Sequence, residues 1–365
     1  MNFNTIFLKS FRILLFPLAL LYGMVVWMRN RLFDKGILRS TSFNIPLICV
    51  GNLAVGGTGK SPMVEYLVSL LKERFNVATL SRGYKRRTKG YILANDYSTA
   101  LDIGDEPMQF HLKFPDIPVA VGEERIVAIP QLLYDRPQTD VIVLDDAFQH
   151  RSIEAGLNIL LTDYSNLYTR DFYLPTGDLR DERASSKRAD IIIVTKCRPE
   201  LSEAYRKKII KEIEPLPRQH LFFSSIIYGQ PYHITTGHRR SLSKNTEVLL
   251  VCGIANPEPL TRQLLIESKT YDALFYDDHH IFTIDDLNDM MKRFEKISTH
   301  DKIILTTEKD AVRLVKFENE LADFPFYVLP IGVSFLFGDT NRFNDLIINF
   351  IRNFKQNNKQ TAGTA

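Results

Sequence analysis

The sequence predicts an α/β protein built on a doubly wound, mostly parallel sheet, followed by a second, smaller α/β domain. From residue 45 onward short β-branched runs recur: "IPLICV", "VATL", "IPVAV", "DVIVLDD", "LNILLTD" and "DIIIVTK". Helix-like stretches at 62–75 and near 123–134 separate them. Continuous apolar runs of that kind suit strands buried on both faces of a parallel sheet. After the extended "LFFSSIIYGQPYHI" and the polar "TTGHRRSLSKNTE" the rhythm resumes with "EVLLVCGI", a helix near 257–268, "YDALFY", a helix near 284–297, "KIILTTEK" and "FYVLPIGVSF".

The chain divides on this basis into an N-terminal helix (1–40), a nucleotide-binding domain (41–225), a smaller α/β domain (226–340), a last helix (341–354) and a tail (355–365). Segments 221–234 and 326–335 are expected to pair as a two-stranded hinge that returns the last helix to the first domain. The tail "KQNNKQTAGTA" lacks apolar periodicity and reads as disordered. With 365 residues, 45% of them apolar, there is material for two cores. Lys and Arg number 46 against 43 Asp and Glu, so no global field points to nucleic acid. Cys49, Cys197 and Cys252 fall in apolar, strand-like segments, which suits reduced core thiols and a cytosolic setting.

The first forty residues differ. Between Arg12 and Arg29 lie sixteen uncharged residues, "ILLFPLALLYGMVVWM", about 24 Å as a helix against a hydrocarbon core of about 30 Å. Lys9, Arg12, Arg29, Arg31, Lys35 and Arg39 flank the run, and no small-residue cleavage site follows it. A retained, membrane-associated helix with basic residues on anionic head groups is the reading; a buried core helix is the alternative.

The chemistry starts at "VGNLAVGGTGKSP", residues 50–62, a strand-loop-helix junction close to a phosphate-binding loop. Gly56, Gly57, Thr58 and Gly59 would turn backbone N–H groups onto a phosphate, Lys60 would balance its charge, and the Ser61 hydroxyl would hold Mg²⁺. Ala54 replaces the usual first Gly, so Ala54 should keep a negative φ while Gly56 and Gly57 carry the unusual geometry. In "VIVLDDAFQHR" a buried strand ends in Asp145 and Asp146, which can reach that metal or merely cap a helix. These elements give the fold its P-loop NTPase type. "RGYKRRTKG" places Arg82 at the catalytic edge ahead of Lys85, Arg86, Arg87 and Lys89, either a solvated face or a site for an anionic substrate. Asp105 and Glu106 in "DIGDEPMQF" suit a helix's first turn, or a base beside bound phosphates. Asp278, His279 and His280 in "YDDHHIF" suit a metal site weakly, and a partner to Asp105 better.

The whole set resembles the tetraacyldisaccharide 4'-kinases through "VGNLAVGGTGKSP", "LSRGYKRR", "GDEP", "VGEERIVA", "DDAFQHR", "LLTD", "LPTGDLRD", "IIIVTK", "GIANPEPL", "DDHHIF" and "TTEKDAVRL". The resemblance implies ATP and Mg²⁺ held by Lys60, Ser61, Asp145 and Asp146, with Asp105 as general base toward the sugar 4'-hydroxyl, oriented by His279. It places Arg125, Arg180 and Asp181 around substrate and phosphates. It also implies an acylated disaccharide 1-phosphate as substrate, action as a monomer, and a place at the cytoplasmic face of the inner membrane. Ser61 stands where the family often has Thr, Lys85 and Ala147 where it frequently has Gly, and Asp181 where many members have Glu. Two other classes remain: a nucleotide-driven switch, against which Arg198 in "VTKCRP" removes the acidic residue a guanine reader needs, and a phosphoesterase using Asp278, His279 and His280.

Overall fold

The structure is a computed structural model that describes residues 12–362, with side chains described to residue 357. In chain order the strands are β1 (Leu47–Asn52), β2 (Val77–Ser81), β3 (Ile92–Leu93), β4 (Val119–Val121), β5 (Val141–Asp145), β6 (Leu157–Asp163), β7 (Ile191–Thr195), β8 (His220–Tyr228), β9 (Tyr232–His233), β10 (Glu247–Cys252), β11 (Thr270–Phe275), β12 (Lys302–Thr307), β13 (Phe326–Leu329) and β14 (Ile331–Phe335). The helices that matter below are α1 (Phe16–Asp34), α2 (Lys60–Leu71), α3 (Asp105–Lys113), α4 (Arg125–Asp135), α5 (Glu203–Ile213), α6 (Glu258–Glu267), α7 (Ile284–Glu295), α8 (Glu308–Leu314) and α9 (Thr340–Ala362).

Nine strands form a sheet in the order β14-β8-β7-β6-β1-β5-β2-β4-β3, parallel except at its two edges. Along β1 the alternation is strict: Leu47 and Cys49 join the core under α4 and α5, while Ile48 and Val50 join the core under α2 and α9. Both faces are therefore covered, which is why these strands read as unbroken apolar runs. The chain passes to β5 on one side of β1 and to β6 on the other. The crevice beyond the carboxyl end of β1 is thus the topological switch point where such sheets bind ligands. Strand β3, which the apolar runs did not signal, adds a two-residue antiparallel edge.

The second sheet runs β11-β10-β12-β13-β9, with α7 packed on the face of Leu249 and Val251 and α6 on that of Val248 and Leu250. Two strand pairs join the sheets. Residues Ser224 to Tyr228 of β8 pair antiparallel with β14, and β9 pairs antiparallel with β13. Helix α9 then returns to the large sheet, where Phe343, Ile347 and Ile351 pack with Phe222 and Phe335. It runs on to Ala362, so most of the tail expected to be disordered is helical, and residues 363–365 lie outside the described ones. Extending a formed helix requires only good local helix formers, and Lys, Gln and Ala supply them without apolar periodicity. All three cysteines are free and buried.

A charge cluster of two buried carboxylates and a lysine that reaches the surface ties the sheets together beside the β8–β14 pairing. Lys113 Nζ, at the end of α3, donates to Glu65 of α2 and to Glu308 of α8, both at 2.7 Å. Gln109 Nε2 donates to the other Glu65 oxygen at 2.6 Å, and the Ile331 N–H of β14 donates to Glu308 at 3.1 Å. Burial and the nearby Glu308 carboxylate push the Glu65 carboxyl up despite Lys113. Removing the one cation leaves two acids facing each other out of water. Lys113→Met should therefore cost on the order of 3 kcal/mol in urea unfolding, and Glu65→Gln in the same chain should recover part of that loss.

Candidate active site

The loop after β1 is pinned from both flanks. Asn52 Nδ2 donates to Thr58 Oγ1 at 2.9 Å, and Thr195 Oγ1, at the end of β7, donates to the Thr58 carbonyl at 2.8 Å. Ala54 makes an antiparallel bridge with Leu179, and the Val55 N–H donates to the Asp178 carbonyl at 2.7 Å. That extended pairing explains why a residue with a Cβ fits at 54. The left-handed positions are Gly56 (φ 101°) and Gly59 (φ 83°). Gly57, expected to share that geometry, does not; Gly59 needs it because it is the residue from which α2 starts. No side chain caps the first N–H groups of α2, which leaves them aimed at the crevice with the positive end of the helix dipole.

Asp145 ends β5 fully buried, and its Oδ1 has no hydrogen-bond partner. Burial, together with the neighbouring Glu106 and Asp146 carboxylates, pushes its carboxyl well above the usual range. Asp146 is held differently. Arg180 grips both its oxygens, with Nη1 to Oδ2 at 3.0 Å, and Lys60 Nζ lies 3.8 Å from Oδ1. Burial opposes its ionisation, but Lys60 and Arg180 outweigh burial and hold its carboxyl below the ordinary range. Arg180 also donates to Asn52 Oδ1 at 2.6 Å, tying this pair to β1. Ser61, on the first turn of α2, donates to Glu106 Oε1 at 3.4 Å. Glu106 thereby stands against the first turn of α2, a placement that first-turn chemistry alone did not single out.

Asp105 starts α3 and faces the second sheet. His279 Nδ1 lies 2.7 Å from its Oδ2. The other ring nitrogen is 3.4 Å from Lys309 Nζ, and Arg313 Nη2 lies 2.8 Å from Nδ1, so the carboxylate, the imidazole and both cations form one connected cluster. Arg313 of α8 makes a fork on the same carboxylate, Nε to Oδ1 at 2.9 Å and Nη2 to Oδ2. Burial would raise the Asp105 carboxyl, but the hydrogen bonds from Arg313 and His279 overcome it and hold the group below the usual carboxylate range.

The other sequence-predicted residues divide. Arg125 is buried, donating from Nη1 to the Gly122 carbonyl at 2.7 Å and from Nη2 to the Asp145 carbonyl at 3.4 Å. Arg82 is exposed, close enough to Arg125 and His150 for its charge to lower both pKa values, though burial is the larger cause. Asp181 is buried, its carboxylate filled by Asn30 Nδ2 and Ser185 Oγ at 2.9 Å and Arg188 at 3.1 Å. It thus fastens α1. In the basic run, Arg86 is tied to Glu123 at 2.6 Å, whereas Lys85, Arg87 and Lys89 are exposed. Asp278, His279 and His280 do not gather on one point: Asp278 pairs with Lys309 at 2.8 Å and lies 3.7 Å from His279 Nε2, whereas His280 turns to Asp286 at 3.0 Å.

The chain is similar to known proteins along nearly its whole length. Residues 11–352 match the family model described as Tetraacyldisaccharide-1-P 4'-kinase. Relatives named Tetraacyldisaccharide 4'-kinase include one from Bacteroides thetaiotaomicron, 45% identical over 94% of each chain, and one from Bacteroides fragilis (strain ATCC 25285), 47% identical over 94% of each. Among solved structures, the "apo" form of LpxK from Aquifex aeolicus in complex with ATP aligns at a TM-score of 0.73, with 26% identity over 93% of this chain and 99% of that one. If the Thr195 hydroxyl holds the loop as the geometry indicates, Thr195→Val removes one buried hydrogen bond, worth about 1 kcal/mol. The expected readouts are that loss in unfolding free energy and a several-fold weaker KM for nucleotide.

Proposed function

The chain belongs to the tetraacyldisaccharide-1-P 4'-kinase family and phosphorylates the 4'-position of a tetraacyldisaccharide 1-phosphate to form lipid IVA, and we propose that the crevice between its two sheets carries that reaction out with Asp105 as base. The observation that supports this most is the junction of the loop helix with α3: Ser61 touches Glu106, so the adjacent Asp105 stands beside the phosphate end of the nucleotide site while His279 reaches it from the second sheet.

ATP would lie along the loop, its phosphates on the N–H groups of Gly56, Gly57, Thr58 and Gly59 and on Lys60. The residues at hand fit a divalent cation, because a buried carboxylate oxygen on Asp145 lacks any partner and Asp145 feels the charge of Glu106, the residue that Ser61 touches. Ser61 and Asp145 would hold Mg²⁺, whose remaining positions suit water and phosphate oxygens; Asp146, engaged by Arg180 and Lys60, supports that set from behind. When bound, the ion neutralises charge on the β- and γ-phosphates. Asp105 takes the proton of the sugar 4'-hydroxyl as that oxygen bonds to the γ-phosphorus. The bond to the bridging oxygen breaks and ADP leaves. Phosphoryl transfer needs chiefly positioning and charge compensation, which Lys60 and Arg180 supply.

Among the described residues no helix is long and apolar enough to cross a membrane. Helix α1 instead exposes Leu20, Leu21, Met24, Val25, Trp27 and Met28 along its length. It docks through Tyr22, whose hydroxyl donates to the Arg180 carbonyl at 3.0 Å, and through Asn30 on Asp181. An interfacial helix on the cytoplasmic face of the inner membrane would deliver an acylated substrate to the catalytic edge. The reading takes the chain to act as a monomer and without nucleic acid.

The deciding assay is ATP-dependent phosphorylation of a lipid A disaccharide 1-phosphate in detergent micelles. Lys60→Ala and Asp105→Asn should abolish product while the protein stays folded, with Asp105→Asn also lowering the melting temperature because the buried Arg313 cation loses its anion; an Asp105→Asn enzyme with full turnover would remove that residue from the role of base. Preference for GTP, or hydrolysis independent of the lipid acceptor, would favour a switch. Leu21→Glu with Met24→Glu should weaken binding to anionic phospholipid vesicles at least about tenfold while leaving the melting temperature in place.

A further inference from the structure

Arg313 is not part of the loop, the acidic pair or the His motif, yet it joins Asp105 to the turn that carries His279. It sits on α8, the helix that follows β12, and is 8% exposed. Its guanidinium reaches two partners that the reaction needs fixed. One is Asp105, held through both oxygens. The other is the turn carrying His279: Arg313 Nη1 donates to the His280 carbonyl at 3.3 Å. That turn is conformationally demanding, since His279 has φ 69°, a left-handed value that a residue with a Cβ adopts only when its surroundings hold it there.

We propose that Arg313 is a positioning residue for phosphoryl transfer, setting the Asp105 carboxylate and the His279 turn in one geometry when the two sheets close on the substrate. A planar fork does what a point charge cannot, because two parallel N–H donors fix the plane of the carboxylate as well as its place. The partners lie 208 residues apart in sequence, so the fork forms only when α8 meets α3.

The same side chain has a second acid within reach. Asp310, one turn earlier on α8, is wholly buried, and its Oδ1 has no hydrogen-bond partner while lying 3.9 Å from Arg313 Nη1. Its Oδ2 accepts from the Gly253 N–H at 3.0 Å and from Thr307 at 2.8 Å. Once Asp105 has taken the substrate proton, the Arg313 cation loses its anion, and Asp310 is placed to compensate it. The charged and titratable groups around Asp105 are Glu106 on its own helix, Lys309, Asp310 and Arg313 on α8, and Asp278, His279 and His280 on the intervening turn, with Tyr84 tilted against His279.

The inference rests on Asp105 being the base, and the test separates the two ideas. Wild type, Arg313→Lys, Arg313→Met and Asp105→Asn are compared for kcat and for the KM of ATP at saturating lipid disaccharide in micelles, with thermal unfolding as control. Arg313→Met is expected to lower kcat about 100-fold, the effect of a reacting group displaced by about 1 Å, with the KM of ATP within threefold of wild type. Arg313→Lys should recover part of that loss, since it returns the charge without the fork. If Arg313→Met fails to fold, Arg313→Lys decides: a kcat lowered with KM unchanged supports the role, and a wild-type kcat overturns it. A loss confined to KM, or an Arg313→Met enzyme with wild-type kcat beside an inactive Asp105→Asn, overturns the positioning role and leaves the base in place. Full turnover by Asp105→Asn overturns the base itself, and this inference with it.

Discussion

One carboxylate shared between two sheets governs this structure. Asp105 begins α3 on the large sheet, but its hydrogen-bond donors, His279 and Arg313, belong to the small one. Charge-assisted hydrogen bonds of this kind are the stronger ones, and here they outweigh a burial that would otherwise favour the protonated acid. The set of contacts on Asp105 therefore exists only where the two sheets meet. With Asp105 as the proposed base, an open site would be unreactive toward water and a closed one would exclude it.

The far end of the same helix is held by the same kind of contact. Lys113 lies at the other end of the helix that Asp105 begins, and it bridges α2 to α8 through Glu65 and Glu308. Helix α3 is thus held at both ends against α8, by Arg313 at the cleft and by Glu308 at the hinge. Two contacts at opposite ends of one helix restrict rotation as well as separation. The neighbouring β8–β14 pairing supplies a connector of backbone hydrogen bonds that does not depend on side-chain choice.

Much of this was legible in the sequence, and for identifiable reasons. Strands buried on both faces announce themselves as unbroken apolar runs, so β1, β5, β6, β7, β10 and β12 fall on "IPLICV", "DVIVLDD", "LNILLTD", "DIIIVTK", "EVLLVCGI" and "KIILTTEK", within two residues at either end. The loop from Ala54 to Ser61 was readable because its function lies in local backbone geometry, although Gly59, not Gly57, carries the second left-handed φ. Three things escaped. The two-residue β3 is too short to show a period. The end of α9 is propagated from a packed helix and has no apolar pattern of its own. Arg313 lies within a motif whose residues give no sign of a partner on α3, because long-range pairing is set by topology.

The position of Ala54 ties the remaining parts together. Its bridge to Leu179 and the neighbouring Val55–Asp178 hydrogen bond bring the segment 178–181 against the phosphate loop. From that segment Arg180 reaches Asp146 and Asn52, while its carbonyl accepts from Tyr22 and the adjacent Asp181 accepts from Asn30, both on α1. Gly23 belongs to the same seam, since any Cβ there would come within 2.7 Å of the Tyr173 ring. The departure from the usual loop pattern thus coincides with the junction that couples the apolar helix to the acidic pair. A Gly at 54 would add backbone freedom where the chain needs an extended, paired segment, and the seam between α1 and the catalytic edge would lose its fixed register.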